Sequence, residues 1–233
     1  MELAFIGLSV VFIIAWSYFF LRRDRFEPEP RWLLIRLFFG GVLAAIAAGI
    51  LNTLADEAGA SSGAVIVFVA PPVEEACKLF AVFLFAYGSK HFTQRVDGAI
   101  YGISVGLGFA VIEDVFYALE FGPFVLAARS LALPIGHPLF TGVSGYFLAK
   151  AKFEGRALWA LAGLLIGIAL HMAWNAPAGL SELYSDWFAL LFLAALPLEI
   201  AVLVRFVRRM SHPDAQAIAR LVQPAKLATP VSD

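Results

Sequence analysis

The sequence is short of charged residues and of cysteine. Only 15% of its 233 residues are charged, whereas 61% are hydrophobic. Soluble domains average about 25% charged and about 45–50% apolar residues, so this apolar excess does not fit a water-soluble core of the same length. The one cysteine, Cys77, excludes an intrachain disulfide and a metal site built from several cysteines. We therefore predict an all-α, polytopic membrane protein.

Long apolar stretches follow one another along the chain, and each is long enough for a membrane-spanning helix of about 20 residues. The pattern predicts a transmembrane helical bundle of about seven spans. Their predicted limits are residues 3–21, 33–51, 64–88, 97–119, 124–149, 157–177 and 187–204. We expect one membrane-embedded domain over residues 1–210, with its motifs at about 64–177, and a cytoplasmic tail over 211–233.

Basic residues are missing from every second connection between these spans. All 17 lysines and arginines except Lys78 and Arg129 lie in or beside the other connections or after the last span. In the connections 52–63, 120–123 and 178–186, all the charged residues are acidic. Because basic loops are retained in the cytoplasm, we predict that the N-terminus lies outside and the C-terminus inside.

A few polar residues lie within the predicted spans. A charge at the centre of a membrane helix costs about 2.5–3.5 kcal/mol on insertion scales, so these side chains are expected to face one another or a wet cavity and to serve a function. They are Glu74, Glu75, Lys78, Glu113, Asp114, Arg129, His137, His171 and Asn175.

The third span carries two adjacent acids and a lysine. Glu74, Glu75 and Lys78 can share one helical face, because residues three and four apart are neighbours there. Pro71 and Pro72 precede them, and proline is tolerated in the first turn of a helix. We therefore predict a broken span, with a new helix beginning near Pro72 and both glutamates in its first turn. An ion pair that only fixes helix packing needs one acid for the lysine. The second acid is therefore available to bind a metal ion or to transfer a proton.

The fourth span contains an acid one turn after an aromatic residue, Phe109 followed by Glu113. The preceding Gly102-x-x-x-Gly106 and Gly108 allow another helix to approach closely. Glu113 is suited either to a packing hydrogen bond or to ligand binding. Its neighbour Asp114 is expected either to support the site or to lie nearer the outer interface.

Histidines occur in the fifth and sixth spans. His137 lies between Pro134 and Pro138, which predict a distorted helix, and His171 shares a helical face with Asn175. The stray cation Arg129 is expected either to bind a substrate carbonyl or carboxylate or to pair with Glu113 or Asp114. Carboxylates and imidazoles from four spans indicate an outward-opening polar chamber whose donors suit zinc, although the His-Glu-x-x-His motif of soluble zinc proteases is absent.

These residues form four motifs in order, each on its own predicted span. The motifs are Glu74-Glu75-x-x-Lys78, Phe109-x-x-x-Glu113, Pro134-x-x-His137-Pro138 and His171-x-x-x-Asn175. The set resembles the PrsW family of intramembrane proteases, part of a clan with CAAX prenyl proteases and bacteriocin-processing enzymes. Glu113 stands where the CAAX branch has histidine, which favours PrsW.

The resemblance implies a multi-pass peptidase of the bacterial inner membrane that is metal-dependent. It implies site-1-type cleavage of a membrane-anchored substrate such as an anti-sigma factor, near the extracytoplasmic side. The lipid bilayer is then the other partner, and we expect no nucleic acid. A homo-oligomer stays open, because the small residues Gly40, Gly41, Ala44 and Ala48 suit packing within or between chains.

The same motifs suggest roles for the individual residues. Four ligands are assigned to a divalent ion, expected to be Zn²⁺: Glu75, Glu113, His137 and His171. Glu74 is then the general base, with Lys78 keeping the pair ionised and Asn175 donating to the oxyanion. Glu74 and Glu75 are interchangeable at this stage. A metal-free version, in which a glutamate and a histidine activate water, uses the same residues.

Two other classes of protein remain open from the sequence. Buried acids and histidines also build the proton relays of ion-coupled transporters, although we find no second copy of the motifs in another half of the chain. A non-catalytic scaffold that sequesters a signalling partner is the other alternative.

Overall fold

The computed structural model describes residues 2–21, 29–59, 61–132 and 136–210, and these contain helices and turns but no β-strand. The all-α prediction is confirmed. The α-helices are α1 (Glu2–Leu21), α2 (Arg31–Glu57), α3 (Ser62–Ala64), α4 (Ala70–Ala86), α5 (Arg95–Phe121), α6 (Pro123–Ala132), α7 (His137–Glu154), α8 (Leu158–Leu183) and α9 (Phe192–Met210). A π-helix, Val65–Val69, joins α3 to α4, and a 3₁₀ helix, Asp186–Leu191, precedes α9. The predicted tail at 211–233 lies outside the described residues.

Four helical stretches are long and apolar enough to cross a bilayer. They are Arg31–Glu57, Arg95–Phe121, Leu158–Leu183 and Asp186–Arg208. These stretches match the second, fourth, sixth and seventh predicted spans. In α1 the apolar stretch Leu3–Trp16 is shorter. The total of seven spans and the orientation of the termini stay predictions.

The fifth predicted span, 124–149, is divided between two helices. Its residues form α6 and α7, and α7 begins after Gly136, whose backbone is not helical (φ −101°, ψ −141°). The distortion expected near the flanking prolines is thus confirmed, with Pro138 in the first turn of α7; Pro134 lies outside the described residues. Hydropathy averages over such a break, because the residues on both sides are equally apolar.

The third predicted span is continuous but changes its helical form. α4 begins at Ala70 with Pro71 and Pro72 in its first turn, so the predicted helix start is confirmed. The placement of Glu74 and Glu75 in that first turn is wrong, since the first turn holds no acid. The chain enters α4 through the π-helix rather than through a break, and α4 therefore starts early enough to carry both glutamates into its second turn.

Glycines on two faces of α5 bring its neighbours close. A Cβ atom on Gly106 would lie 2.6 Å from the carbonyl oxygen of His137. A Cβ atom on Gly108 would collide with the carbonyl oxygen of Phe38 in α2. The predicted close approach is confirmed, and α5 lies between α7 on one side and α2 on the other.

The small residues of α2 pack inside the chain. A Cβ atom on Gly41 would lie 2.9 Å from the backbone nitrogen of Phe109, and Ala44 and Ala48 are buried. The opposite face of α2 exposes large apolar side chains at helical spacing: Ile35, Phe39, Leu43, Ile46 and Ile50. This second face is suited to lipid. The small-residue face is occupied by α5 and is not free to pair two copies of the chain.

The close contact at Gly106 leads to a stability prediction. Gly106→Ala places a methyl group against backbone atoms of His137 and Pro138, so α5 and α7 must separate. We expect a loss of about 1–3 kcal/mol from this overpacking, measured as a lower Tm in detergent micelles. Gly49→Ala is the matched control, because no atom lies within 4 Å of the added Cβ, and its Tm should stay equal or rise. Equal Tm values for the two variants would contradict the packing described for α5.

Candidate active site

The ammonium group of Lys78 connects α4 with α7. Its Nζ lies 2.7 Å from Glu75 Oε1, 3.6 Å from Glu74 Oε2 and 2.7 Å from His137 Nδ1. It also lies 4.0 Å from the centre of the Phe109 ring on α5. Lys78 and both glutamates are buried. The prediction that these three charged residues share one helical face is confirmed.

Glu75 holds the imidazole of His171 in a fixed orientation. Its Oε1 lies 3.1 Å from His171 Nδ1, and its Oε2 accepts a hydrogen bond of 3.1 Å from the Thr141 hydroxyl. The ring of His171 stacks on Phe140 with 5.1 Å between centroids. Together with Lys78, these contacts surround both oxygens of Glu75. The other nitrogen of His171, Nε2, is directed towards Glu74 at 3.8 Å from Oε2.

His137 is the first residue of α7 and contacts an acid on α5. Its Nε2 lies 2.6 Å from Glu113 Oε2. The same oxygen accepts a hydrogen bond of 2.6 Å from Arg129 on α6, and Arg129 Nε donates to Asp114 Oδ1 at 2.5 Å. Arg129 therefore pairs with both of the acids predicted for it, Glu113 and Asp114. Asp114 is buried, which fits a supporting role and not a place at the outer interface.

We call the six connected side chains the acid–imidazole cluster. Its members are Glu74, Glu75, Lys78, Glu113, His137 and His171. They come from α4, α5, α7 and α8, which places the three acids, the lysine and the two histidines of the four motifs in a single site.

Glu74 differs from Glu75 because one of its carboxylate oxygens makes no hydrogen bond. Its Oε1 accepts a long hydrogen bond, 3.4 Å, from Asn52. Its Oε2 is buried and has no hydrogen-bond partner among the described residues. One donor atom each from Glu74, His137 and His171 lie within 4.8 Å of one another. A carboxylate with two imidazoles is a donor set that zinc accepts, so these residues fit a metal ion.

Asn175 lies beside the π-helix. Its Nδ2 donates a hydrogen bond of 3.0 Å to the carbonyl oxygen of Ile66. Within the described part of the chain, this is the one hydrogen bond found for the Asn175 side chain. Its role as an oxyanion donor stays a prediction.

Two residues that contact the site, Asn52 and Thr141, were missed, and so was a buried acid of α9, Glu199. Asn52, the only other asparagine, falls just past the predicted end of the second span. Thr141 lies one helical turn after His137, and this spacing could have indicated that it faces the same site. Glu199 lies within the seventh predicted span, is fully buried, and neither of its carboxylate oxygens has a hydrogen-bond partner among the described residues. Its signal was simply an acid inside an apolar stretch.

A small cavity of about 30 Å³ lies beside His137. Asp114, Arg129, Gly136 and Trp174 contribute to its wall. That volume is enough for one water molecule, and the wall offers polar partners for it. Water can therefore be held directly next to the acid–imidazole cluster, which is a requirement for any hydrolysis within a membrane.

Comparison with known proteins gives one consistent answer. A family model described as PrsW family intramembrane metalloprotease matches residues 29–202. Protease PrsW of Geobacillus kaustophilus (strain HTA426) is 36% identical over 159 residues, which cover 66% of this chain and 70% of that protein. Protease PrsW of Bacillus subtilis (strain 168) is 31% identical over 165 residues, 68% of this chain and 75% of that protein. No solved structure gives a match.

A more distant relative extends the similarity. Protease PrsW of Clostridioides difficile (strain 630) is 30% identical over 190 residues, 73% of this chain and 77% of that protein. The region matched by the family model contains every member of the acid–imidazole cluster. Relatives that are all bacterial proteases, together with helices able to span a membrane, do not favour a transporter. The chain belongs to the PrsW family and is an intramembrane protease.

Proposed function

We propose that this protease hydrolyses a peptide bond of a membrane-anchored protein with the help of a zinc ion held by Glu74, His137 and His171. The observation that carries the proposal is the buried convergence of donor atoms from these three residues. A bound zinc ion supplies Lewis acidity and a nucleophilic water at neutral pH. Glu74 Oε2 supports this place among the ligands, because it is buried without a hydrogen bond and such an oxygen is costly.

The other acids then hold the ligands in position. Glu75 accepts bonds from Lys78, Thr141 and His171, so it is proposed to orient the His171 ring and balance the lysine charge. A carboxylate on the far nitrogen of a ligating histidine is common at metal sites. Glu113 contacts Nε2 of His137 in the same way. A metal on the other nitrogen, Nδ1, would then replace its contact with Lys78. In this proposal Glu74 replaces Glu75 as a ligand. Glu113, which the sequence analysis assigned as a ligand, positions His137 instead.

Glu74 is also the central residue in a metal-free version of the reaction. Its free oxygen would then take the proton of the attacking water, as a general base does. His171 Nε2, which faces Glu74, would stabilise the oxyanion. The two versions differ in their response to chelators, and the metal experiment below separates them.

The proposed substrate is a single-pass protein such as an anti-sigma factor, cut near the extracytoplasmic side of the bacterial inner membrane. α5 ends at Phe121, about two turns beyond Glu113, and the connection that follows contains no basic residue. Since basic loops mark the cytoplasmic side, this arrangement supports a site in the outer half of the membrane.

The two glutamates should respond differently to replacement. Glu74→Gln removes the spare carboxylate charge, and we expect at least about 100-fold lower kcat with little change in Tm. Glu75→Gln leaves Lys78 without its closest counter-charge, so both kcat and Tm should fall. Cleavage of a single-pass reporter in liposomes and thermal unfolding measure the two effects. Glu120→Gln, at an exposed carboxylate of α5, is the control and should keep both values. An active Glu74→Gln variant would overturn the assignment.

Metal analysis of the purified protein tests the zinc proposal. We expect one tightly bound equivalent by mass spectrometry, and its loss in His137→Ala and His171→Ala. Treatment with 1,10-phenanthroline should abolish cleavage, and added Zn²⁺ should restore it. Full activity of the metal-free protein would reject zinc and support the general-base version.

Comparison of cells that produce the wild-type protein or Glu74→Gln tests the substrate class. Quantitative proteomics should find single-pass proteins that are shortened only when the wild-type protein is present, with new ends on the extracytoplasmic side. Proton or ion flux in liposomes without any cleaved membrane protein would contradict the proposal and favour a transporter.

A further inference from the structure

The carbonyl group of Ile66 lies in the π-helix, just before the two prolines of α4. In the π-helix, the N–H of Ala70 donates to Val65 O, five residues back. The next possible donor along the chain, at the same spacing from Ile66, belongs to Pro71. Proline has no N–H, so the helix cannot satisfy this carbonyl by continuing the π pattern. An unpaired carbonyl in a lipid-embedded helix costs free energy comparable to a lost hydrogen bond.

A side chain from another helix supplies the missing donor. Asn175 Nδ2 lies 3.0 Å from Ile66 O. Asn175 is one turn after His171 on α8, whereas Ile66 is on the helical path that leads into α4 and its two glutamates. The hydrogen bond therefore connects the segment that carries a candidate ligand imidazole with the segment that carries Glu74.

The same two segments remain in contact beyond this hydrogen bond. A Cβ atom on Gly179 would lie 2.8 Å from the carbonyl oxygen of Gly63, so the backbones approach closely there. Further along, the Ser62 hydroxyl donates to the Glu182 carboxylate. The last turns of α8 thus lie along the path from Ser62 to Ile66, and Asn175 is the member of this contact nearest to His171.

We infer that Asn175 is a positioning residue whose partner is the carbonyl left open by Pro71. Its amide fixes the π-helix, and the π-helix determines where along α4 the glutamates face His171. This inference rests on the proposed function, because it gives Asn175 a role in placing Glu74 instead of the contact with substrate that the sequence suggested. π-Helical turns are often found at functional sites, and here Asn175 bonds to a carbonyl within such a turn.

A double-mutant cycle tests the pairing. Asn175→Leu removes the donor and keeps the size of the side chain, so we expect Tm to fall by about 3–6 °C and kcat to fall about tenfold or more with a smaller change in KM. Pro71→Ala restores a backbone N–H that can reach Ile66 O. Adding Pro71→Ala to Asn175→Leu should recover a measurable part of both losses, relative to Pro71→Ala alone. Activities are compared at a temperature at which every variant is folded.

Ser62→Ala is the matched control, because it removes the outer contact between the same segments without touching Ile66. Pro71→Ala should not compensate for it. If Asn175→Leu does not yield folded protein, Asn175→Ala replaces it in the cycle.

Three results would overturn the inference. One is a lower kcat in Asn175→Leu with unchanged Tm and no recovery by Pro71→Ala, which is the behaviour of an oxyanion donor. Another is recovery of Tm without recovery of kcat, which is the behaviour of a purely structural contact. The third is equal compensation of Ser62→Ala. The Tm values of the double-mutant cycle depend on neither cleavage nor metal binding. They therefore test the pairing of Asn175 with Ile66 even if the proposed function is wrong.

Discussion

The ammonium group of Lys78 has no exposure to solvent and is held between two glutamates and a histidine. Removing one partner from such a buried ion pair costs about 3–5 kcal/mol, so the acids of α4 and the imidazole of α7 depend on this cation to stay together in an apolar surrounding. Because α4 carries two acids and one lysine here, Glu74 Oε2 makes no hydrogen bond and has only longer contacts with Lys78 and His171. The same balance of charge that allows the site to exist within a membrane therefore also leaves one group available for chemistry.

The rest of the fold allows these charges to meet. α7 begins at His137, and its backbone lies against Gly106 of α5 at a distance that only glycine permits. This contact brings His137 to Glu113 on α5 and to Lys78 on α4. On the other side, Arg129 joins α6 to α5 through Glu113 and Asp114. Close helix packing and charge pairing are thus two parts of the same arrangement. Lys78 with His137, His137 with Glu113, and Arg129 with Glu113 and Asp114 all join different helices.

The membership of the site could be predicted from the sequence, because a charged or imidazole side chain is too costly in lipid to occur without a reason. The division of roles between Glu74 and Glu75 could not, since adjacent residues look alike until the structure shows their contacts. Thr141 and His171 Nδ1 bond to Glu75, whereas His171 approaches Glu74 only at 3.8 Å. Helix ends were predictable where Pro72 and Pro138 mark them. At Gly136 the prolines predicted a distortion but not two separate helices, because hydropathy responds to the surrounding apolar residues and not to backbone angles.

Glu199 could not be interpreted from the sequence at all. Its burial depends on how α9 packs, and an isolated acid in an apolar stretch carries no spacing that would link it to the other motifs. Asn52 was passed over for a related reason, since its proximity to Glu74 arises only when α2 packs beside α4.

The length of α6 has a consequence for the surrounding lipid. Ten residues extend about 15 Å along a helix, half of the roughly 30 Å of hydrocarbon in a typical bilayer. Acyl chains next to such a short segment have to compress or tilt to avoid exposing polar backbone. Where α6 faces lipid, we therefore expect a thinner bilayer beside Arg129. A scissile bond arriving from that side would have less hydrocarbon to cross before meeting water.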